Sequence, residues 1–106
     1  MEAELKRGDV VRVNLNTCVI IQNDVGNTYS PVTIVAVITS RKSLSKTYPV
    51  DVWVGKEAGG LDVPSIVLCD QIRTVDKRRI IERLGHFSDS IMKAVDQAIM
   101  ISLALV

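Results

Sequence analysis

The chain has 106 residues, 47% of them hydrophobic and 4% aromatic, which is enough for one domain with an aliphatic core of Val, Ile and Leu and too little for two. A formal net charge of +1 excludes a global field that gathers nucleic acid, so any anion binding has to come from a local cluster of cations. No stretch reaches the roughly 18 apolar residues that span a bilayer, and the start MEAELKRGD has no apolar signal core, so the expectation is a cytoplasmic protein.

Residues 1–106 read as a single domain. Gly8-Asp9 punctuates the entry to a half-buried strand over 10–15, with Val11, Val13 and Leu15 on one face and Arg12 and Asn14 on the other. Only Asn16 and Thr17 separate it from a second apolar run at 18–21. That junction is wrong for a two-residue hairpin, because β-branched Thr17 is a poor second turn residue. Residues 22–31 are dense in Asn, Asp, Gly and Pro and predict a structured polar loop, followed by a buried strand over 33–39. The stretch 40–47 carries three cations and four hydroxyls without an apolar period, and reads as an exposed loop that either faces water or touches phosphates.

Alternation resumes over 48–54, where Trp53 either packs beneath the neighbouring loop or offers a stacking platform. Gly59-Gly60 marks a turn, and 65–69 is an apolar strand that continues through Asp70, Gln71, Ile72, Arg73 and Thr74 with polar groups emerging. Asp76 caps a short helical turn over 77–80, and 80–84 forms a last strand. From Ser88, an N-cap, the period becomes helical: Ile91, Met92, Val95, Ala98, Ile99 and Leu103 make one apolar stripe about four turns long. Short strands closed by one helix predict an α+β fold, a strongly bent antiparallel sheet or partly open barrel.

Few chemistries are open to these residues. Cys18 and Cys69 sit in apolar runs without the spacing of a zinc site and read as buried thiols. His86 is the only histidine, and nothing nearby supplies the partners of a triad. Metal ligands and a Gly-rich phosphate loop are lacking. What remains are polar groups at strand ends: Asn23 and Asp24, Thr39 and Ser40, and Gln71 with Arg73 and Thr74. Such groups suit an RNA strand, whose own 2′-hydroxyl can act as the nucleophile. The plainer reading is that Thr39 and Ser40 merely end a strand and that Arg73 pairs with Asp70 or Asp76.

Taken in order, Arg7-Gly8-Asp9-Val10, Ile20-Ile21-Gln22-Asn23-Asp24, Gly26-Asn27, Tyr29-Ser30-Pro31, Ile38-Thr39, Ser65-Ile66-Val67-Leu68, Gln71-Ile72-Arg73-Thr74 and Ile101-Ser102-Leu103 resemble the MazF/PemK family of toxin endoribonucleases. The likeness runs along almost the whole chain, which makes it more specific than any one of its motifs. It implies an SH3-like barrel with a C-terminal helix, a homodimer, and sequence-specific cleavage of single-stranded RNA without a metal or other cofactor. It also implies a cognate antitoxin that blocks the RNA groove. By position, Thr39 matches the family's catalytic threonine, while Asn23, Ser40 and Gln71 match RNA-facing strand ends and are candidate RNA-binding residues.

One departure is large. Members of the family carry a glycine-rich loop between the first two strands that ends in an Arg-Pro pair, and that arginine is their other main catalytic residue. Here Leu15-Asn16-Thr17-Cys18 leaves no room for it. Either residues that belong before Cys18 are missing from this sequence, or the chain is a shortened, non-catalytic relative that binds antitoxin or RNA without cleaving. In the second case Arg12 or Arg41 is a candidate substitute.

Overall fold

The computed structural model describes residues 4–40 and 48–106. Six strands form one antiparallel sheet: β1 (Asp9–Val13), β2 (Asn16–Ile20), β3 (Val32–Ser40), β4 (Asp51–Val54), β5 (Ser65–Asp76) and β6 (Ile80–His86). Their order across the sheet is β4-β5-β3-β2-β1-β6, so β4 and β6 are its edges and the bent sheet stays open. A short helix α1 (Asp24–Tyr29) lies between β2 and β3, and the amphipathic helix α2 (Asp89–Ser102) follows β6.

Alternation along each strand sorts the core into two faces. On one face Val10, Val19, Ala36, Ile38, Val67 and Phe87 pack against Met92, Val95 and Ala98 of α2. On the other Val11, Val13, Cys18, Val35, Ile66 and Ile80 gather with Leu5 inside the bend of the sheet. The two cysteines therefore belong to opposite faces and cannot pair. Helix α2 begins as expected, with the Ser88 hydroxyl accepting from the Ile91 N–H and Asp89 in the first turn.

Strand β5 makes the bend. Its first half pairs with β4 and with the end of β3, and its second half pairs with the start of β3. Between them the partner of Ala36 is Ile72 and the partner of Val37 is Leu68, so Cys69, Asp70 and Gln71 bulge out of the ladder. Such an extension lets one strand turn a corner and serve two parts of a sheet.

Three expectations need correction. The β1–β2 connection is a two-residue hairpin after all, but its turn lies one pair earlier than Asn16-Thr17: Val13 pairs with Asn16, which leaves Asn14 and Leu15 as the turn. Asn14 takes a positive φ of 54°, which asparagine tolerates better than most residues, and Leu15 stands 98% exposed at the tip. Second, residues 22–31 are not a loop throughout, because the Asn23 side chain accepts from the Gly26 N–H at 2.8 Å and caps α1. Third, the strand expected over 48–54 begins only at Asp51. Most of the cationic stretch 40–47, including Arg41, lies outside the described residues.

Candidate functional site

Thr39 and Ser40 end β3, opposite Ile66 and Ser65. Both border a groove of about 370 Å³ between the strand ends and the turn at Gly60-Leu61, where the Arg12 guanidinium meets the Glu82 carboxylate at 2.7 Å. Ile38 belongs to the face beneath α2, and Val37 and Ile66 belong to the other. The Thr39 side chain, one residue beyond Ile38 and paired with Ile66, thus leaves the sheet on the face away from α2. Arg12 pairs with Thr17, which pairs with Ile38, so the same alternation sends Arg12 to the opposite face from the Thr39 hydroxyl.

The face that Thr39 shares carries a second groove of about 400 Å³, inside the bend. The hairpin forms one wall through Asn14 and Asn16, Cys18 and Val35 form the floor, and Arg73 and Arg79 stand on the far wall. Asn16 precedes Thr17, whose partner is Ile38, so Asn16 and Thr39 end neighbouring strands, but Thr39 itself lines the first groove and not this one. The anticipated pairing of Arg73 with Asp76 does not form. Asp76 is taken by Arg78, whose side chain and backbone N–H both donate to it and hold its carboxyl down to about 2. Among the described residues neither Arg73 nor Arg79 makes a side-chain hydrogen bond or ion pair, although Arg79 adds a weaker pull on Asp76 and Arg73 one on Cys18.

The other two candidates lie apart. Asn23 is engaged as the cap of α1, next to Gln22, whose N–H donates to the Ile34 carbonyl. Five residues of β3 separate Ile34 from Thr39, about 17 Å at the usual rise per residue. Gln71 is exposed in the β5 bulge, beside the middle of β3. Within one chain the structure brings Thr39 and Ser40 together, and neither Asn23 nor Gln71 joins them.

Much of the polar sequence that carries the resemblance builds the opposite end of the sheet. The Arg7 N–H donates to Asp24 at 2.7 Å, Asn27 donates to the Gln22 carbonyl, and Thr33 donates to Asn27 at 2.7 Å. Lys77 reaches across to the Asn27 carbonyl. Asp9 is only 1% exposed; it accepts from the Lys6 N–H and lies 2.8 Å from Nδ1 of His86, so the single histidine ties β6 to the chain entering β1. These contacts hold strands rather than substrate.

Burial pushes the Cys18 thiol up to about 11, against a smaller opposing pull from Arg73, and pushes Cys69 up to about 12. Both stay protonated near neutral pH and are poor nucleophiles. Iodoacetamide at pH 7.5 should therefore leave both unmodified in the folded protein and label both in guanidinium, as read by intact mass. Labelling of either in the folded state contradicts this assignment.

Comparison with known proteins bears on the same residues. A model of the PemK-like, MazF-like toxins of type II toxin-antitoxin systems matches residues 6–103. Endoribonuclease EndoA of Bacillus subtilis (strain 168) is 39% identical over 113 residues, covering 96% of this chain and 97% of the relative. That share of this chain is about 102 residues, so roughly ten matched positions of EndoA have no counterpart here. In fold, the chain resembles an endoribonuclease in complex with its cognate antitoxin from a mycobacterial species, with a TM-score of 0.84 at 23% identity over 96% of this chain and 97% of that one. It also resembles the MazE-MazF crystal structure (Form-III) from Deinococcus radiodurans, with a TM-score of 0.81 at 23% identity over 98% and 100%. With the family model matched from Lys6 to Leu103 and a relative aligned over nearly all of both chains, this chain belongs to the PemK-like, MazF-like toxins of type II toxin-antitoxin systems.

Proposed function

We propose that the protein is a sequence-specific endoribonuclease toxin that cuts single-stranded RNA, messenger RNA included, in the cytoplasm, acts as a homodimer and is held inactive by a cognate antitoxin. The observation that carries this reading is the match to EndoA across nearly the full length of both chains. Thr39, at a strand end on the border of an open groove, supports it further. In this reading the RNA 2′-oxygen loses its proton and attacks the adjacent phosphorus, the bond to the 5′-oxygen breaks, and that oxygen takes up a proton. A cyclic phosphate and a free 5′-hydroxyl result. Thr39 donates a hydrogen bond to a non-bridging phosphate oxygen, where negative charge builds in the transition state. No step calls for a metal or other cofactor.

The hairpin favours a second reading. With Val13 paired to Asn16, no arginine-bearing loop stands between β1 and β2, and a chain of this form is a binder of antitoxin or RNA that does not cleave. Incubating the purified protein with mixed-sequence single-stranded RNA in EDTA separates the two. Discrete fragments ending in cyclic phosphate establish the nuclease; intact RNA from a chain whose mass equals that of the 106 residues, and which still binds antitoxin, establishes the binder.

A further inference from the structure

Trp53 stands on the edge strand β4 and is 41% exposed, so part of its indole faces water. Its register places it relative to the threonine: Trp53 pairs with Ile66 on β5, and Ile66 pairs with Thr39 on β3. Cross-strand partners share a face, so Trp53 and Thr39 look out on the same side of the sheet, two strand spacings or about 10 Å apart. Burial agrees, because Val52 and Val54 on either side of Trp53 pack into the cluster beneath α2, which turns Trp53 to the opposite face. Ile66 lies between the two and is fully buried, so the row offers water only its two ends, a threonine and an indole. The other aromatic residues lie elsewhere: Phe87 is buried beneath α2, Tyr29 ends α1 and Tyr48 precedes β4. A flat ring carried on a paired strand and open on one side is a surface on which bases stack. The charge beside it decides which part of a nucleotide approaches. Asp51, two residues earlier on the same face, has its carboxylate held by the Tyr48 N–H at 2.8 Å and repels a phosphate, which leaves the base to meet the ring.

We propose that Trp53 is a specificity-determining residue for the cleavage reaction: its indole stacks on the base of a nucleotide flanking the bond at Thr39 and favours a purine there. The proposal rests on the RNA reading above and deepens it, by naming a base preference and the side chain that imposes it. A purine has two fused rings where a pyrimidine has one, so it covers more of the indole, and preferences of this kind come from stacking strength rather than from hydrogen bonds to base edges. The separation from Thr39 is short on the scale of an extended strand, so the base that meets the ring neighbours the cleaved bond. Pairing to β5 along the whole of β4 fixes the ring's position, as selection between bases requires.

The chain holds a single tryptophan, so its emission reports Trp53 alone. Two labelled 2′-O-methyl RNA strands, one all purine and one all pyrimidine, cannot be cut and are titrated by anisotropy, which reads binding, and by tryptophan emission, which reads stacking. The purine strand should bind more tightly and quench the emission. Trp53→Ala should weaken the purine strand about tenfold and the pyrimidine strand about threefold, while Trp53→Phe keeps the purine preference. Should Trp53→Ala melt lower than the parent, Trp53→Leu is read in its place. Sequencing the ends that the parent cuts from a mixed RNA pool should show a purine at one position beside the cut, and Trp53→Ala should lose that preference and keep the rest of the recognition sequence. Binding without quenching, or an equal loss on the two strands, overturns the proposal, as does a parent that binds neither strand; cleavage of the pool then decides the nuclease separately. A cut-site profile that Trp53→Ala leaves unchanged sinks the role of Trp53 and leaves the nuclease standing. A parent that quenches on the purine strand without cutting the pool sinks the nuclease and leaves Trp53 as a residue that stacks on bases.

Discussion

Thr39→Ala should lower RNA cleavage about a hundredfold while the melting temperature and oligomeric state stay unchanged. The magnitude is that of removing one hydrogen-bond donor aimed at developing charge, which costs on the order of 10²–10³ in kcat. The selectivity follows from the position of the residue. Thr39 is partly buried near the end of β3, its backbone is held in the ladder opposite Ile66, and alanine leaves that ladder intact. Single-turnover cleavage measured beside light scattering distinguishes the outcomes. A variant that cleaves within a few-fold of the parent removes Thr39 from the chemistry, and a variant that loses its dimer shows a structural role instead.

Gly85→Ala should destabilise the fold by roughly 1–3 kcal/mol, the range for forcing an extra methyl group into closely packed structure. A Cβ at Gly85 would lie 2.5 Å from the carbonyl carbon and oxygen of Gly59, and one at Gly60 would lie 2.1 Å from the Leu84 oxygen. The turn at Ala58–Gly60 thus rests on β6 backbone against backbone, with no flexible side chain to give way. For a domain of this size the loss corresponds to a fall in melting temperature of roughly 5–15 °C. Gly55→Ala is the control, because nothing lies within 4 Å of its Cβ, and it should melt with the parent. Equal melting of both variants contradicts the close approach. The Gly85 variant should also disturb the groove at Thr39 and Ser40, since Gly60, Leu61 and Leu84 border it.

Periodicity was a good guide wherever one face of an element is buried. Val11 and Val13 lie on a buried face as alternation put them, and Met92, Val95 and Ala98 face the core as the helical period put them, whereas Leu15, assigned to the same face as Val11, stands exposed in the turn. It failed where a side chain, rather than a pattern, decides the backbone. Asn23 turned a polar stretch into a capped helix, and Asn14 moved the hairpin turn by taking a positive φ. The site was legible only in part. Thr39 and Ser40 stood out as polar groups at a strand end and took their roles from the resemblance; the structure sets them on the border of one groove. The same resemblance matched Asn23 to an RNA-facing strand end, and the structure adds a role that the motif does not state, the capping of α1. Arg79 and Asn16 carried no signal of their own, since their meeting across the bend depends on a β5 bulge that composition does not reveal.

The two-residue turn at Asn14 and Leu15 has a thermodynamic side as well. Loop-closure entropy grows with the logarithm of length, so a connection of two residues costs about 1–2 kcal/mol less to close than one of a dozen, as a first approximation for so short a loop. A hairpin this tight also forms on the order of microseconds and sets the register of β1 and β2 before distant strands arrive. A tight turn reaches less far over the face it borders but eases folding, and inserting a long loop at this point should slow and weaken the fold by the same measure.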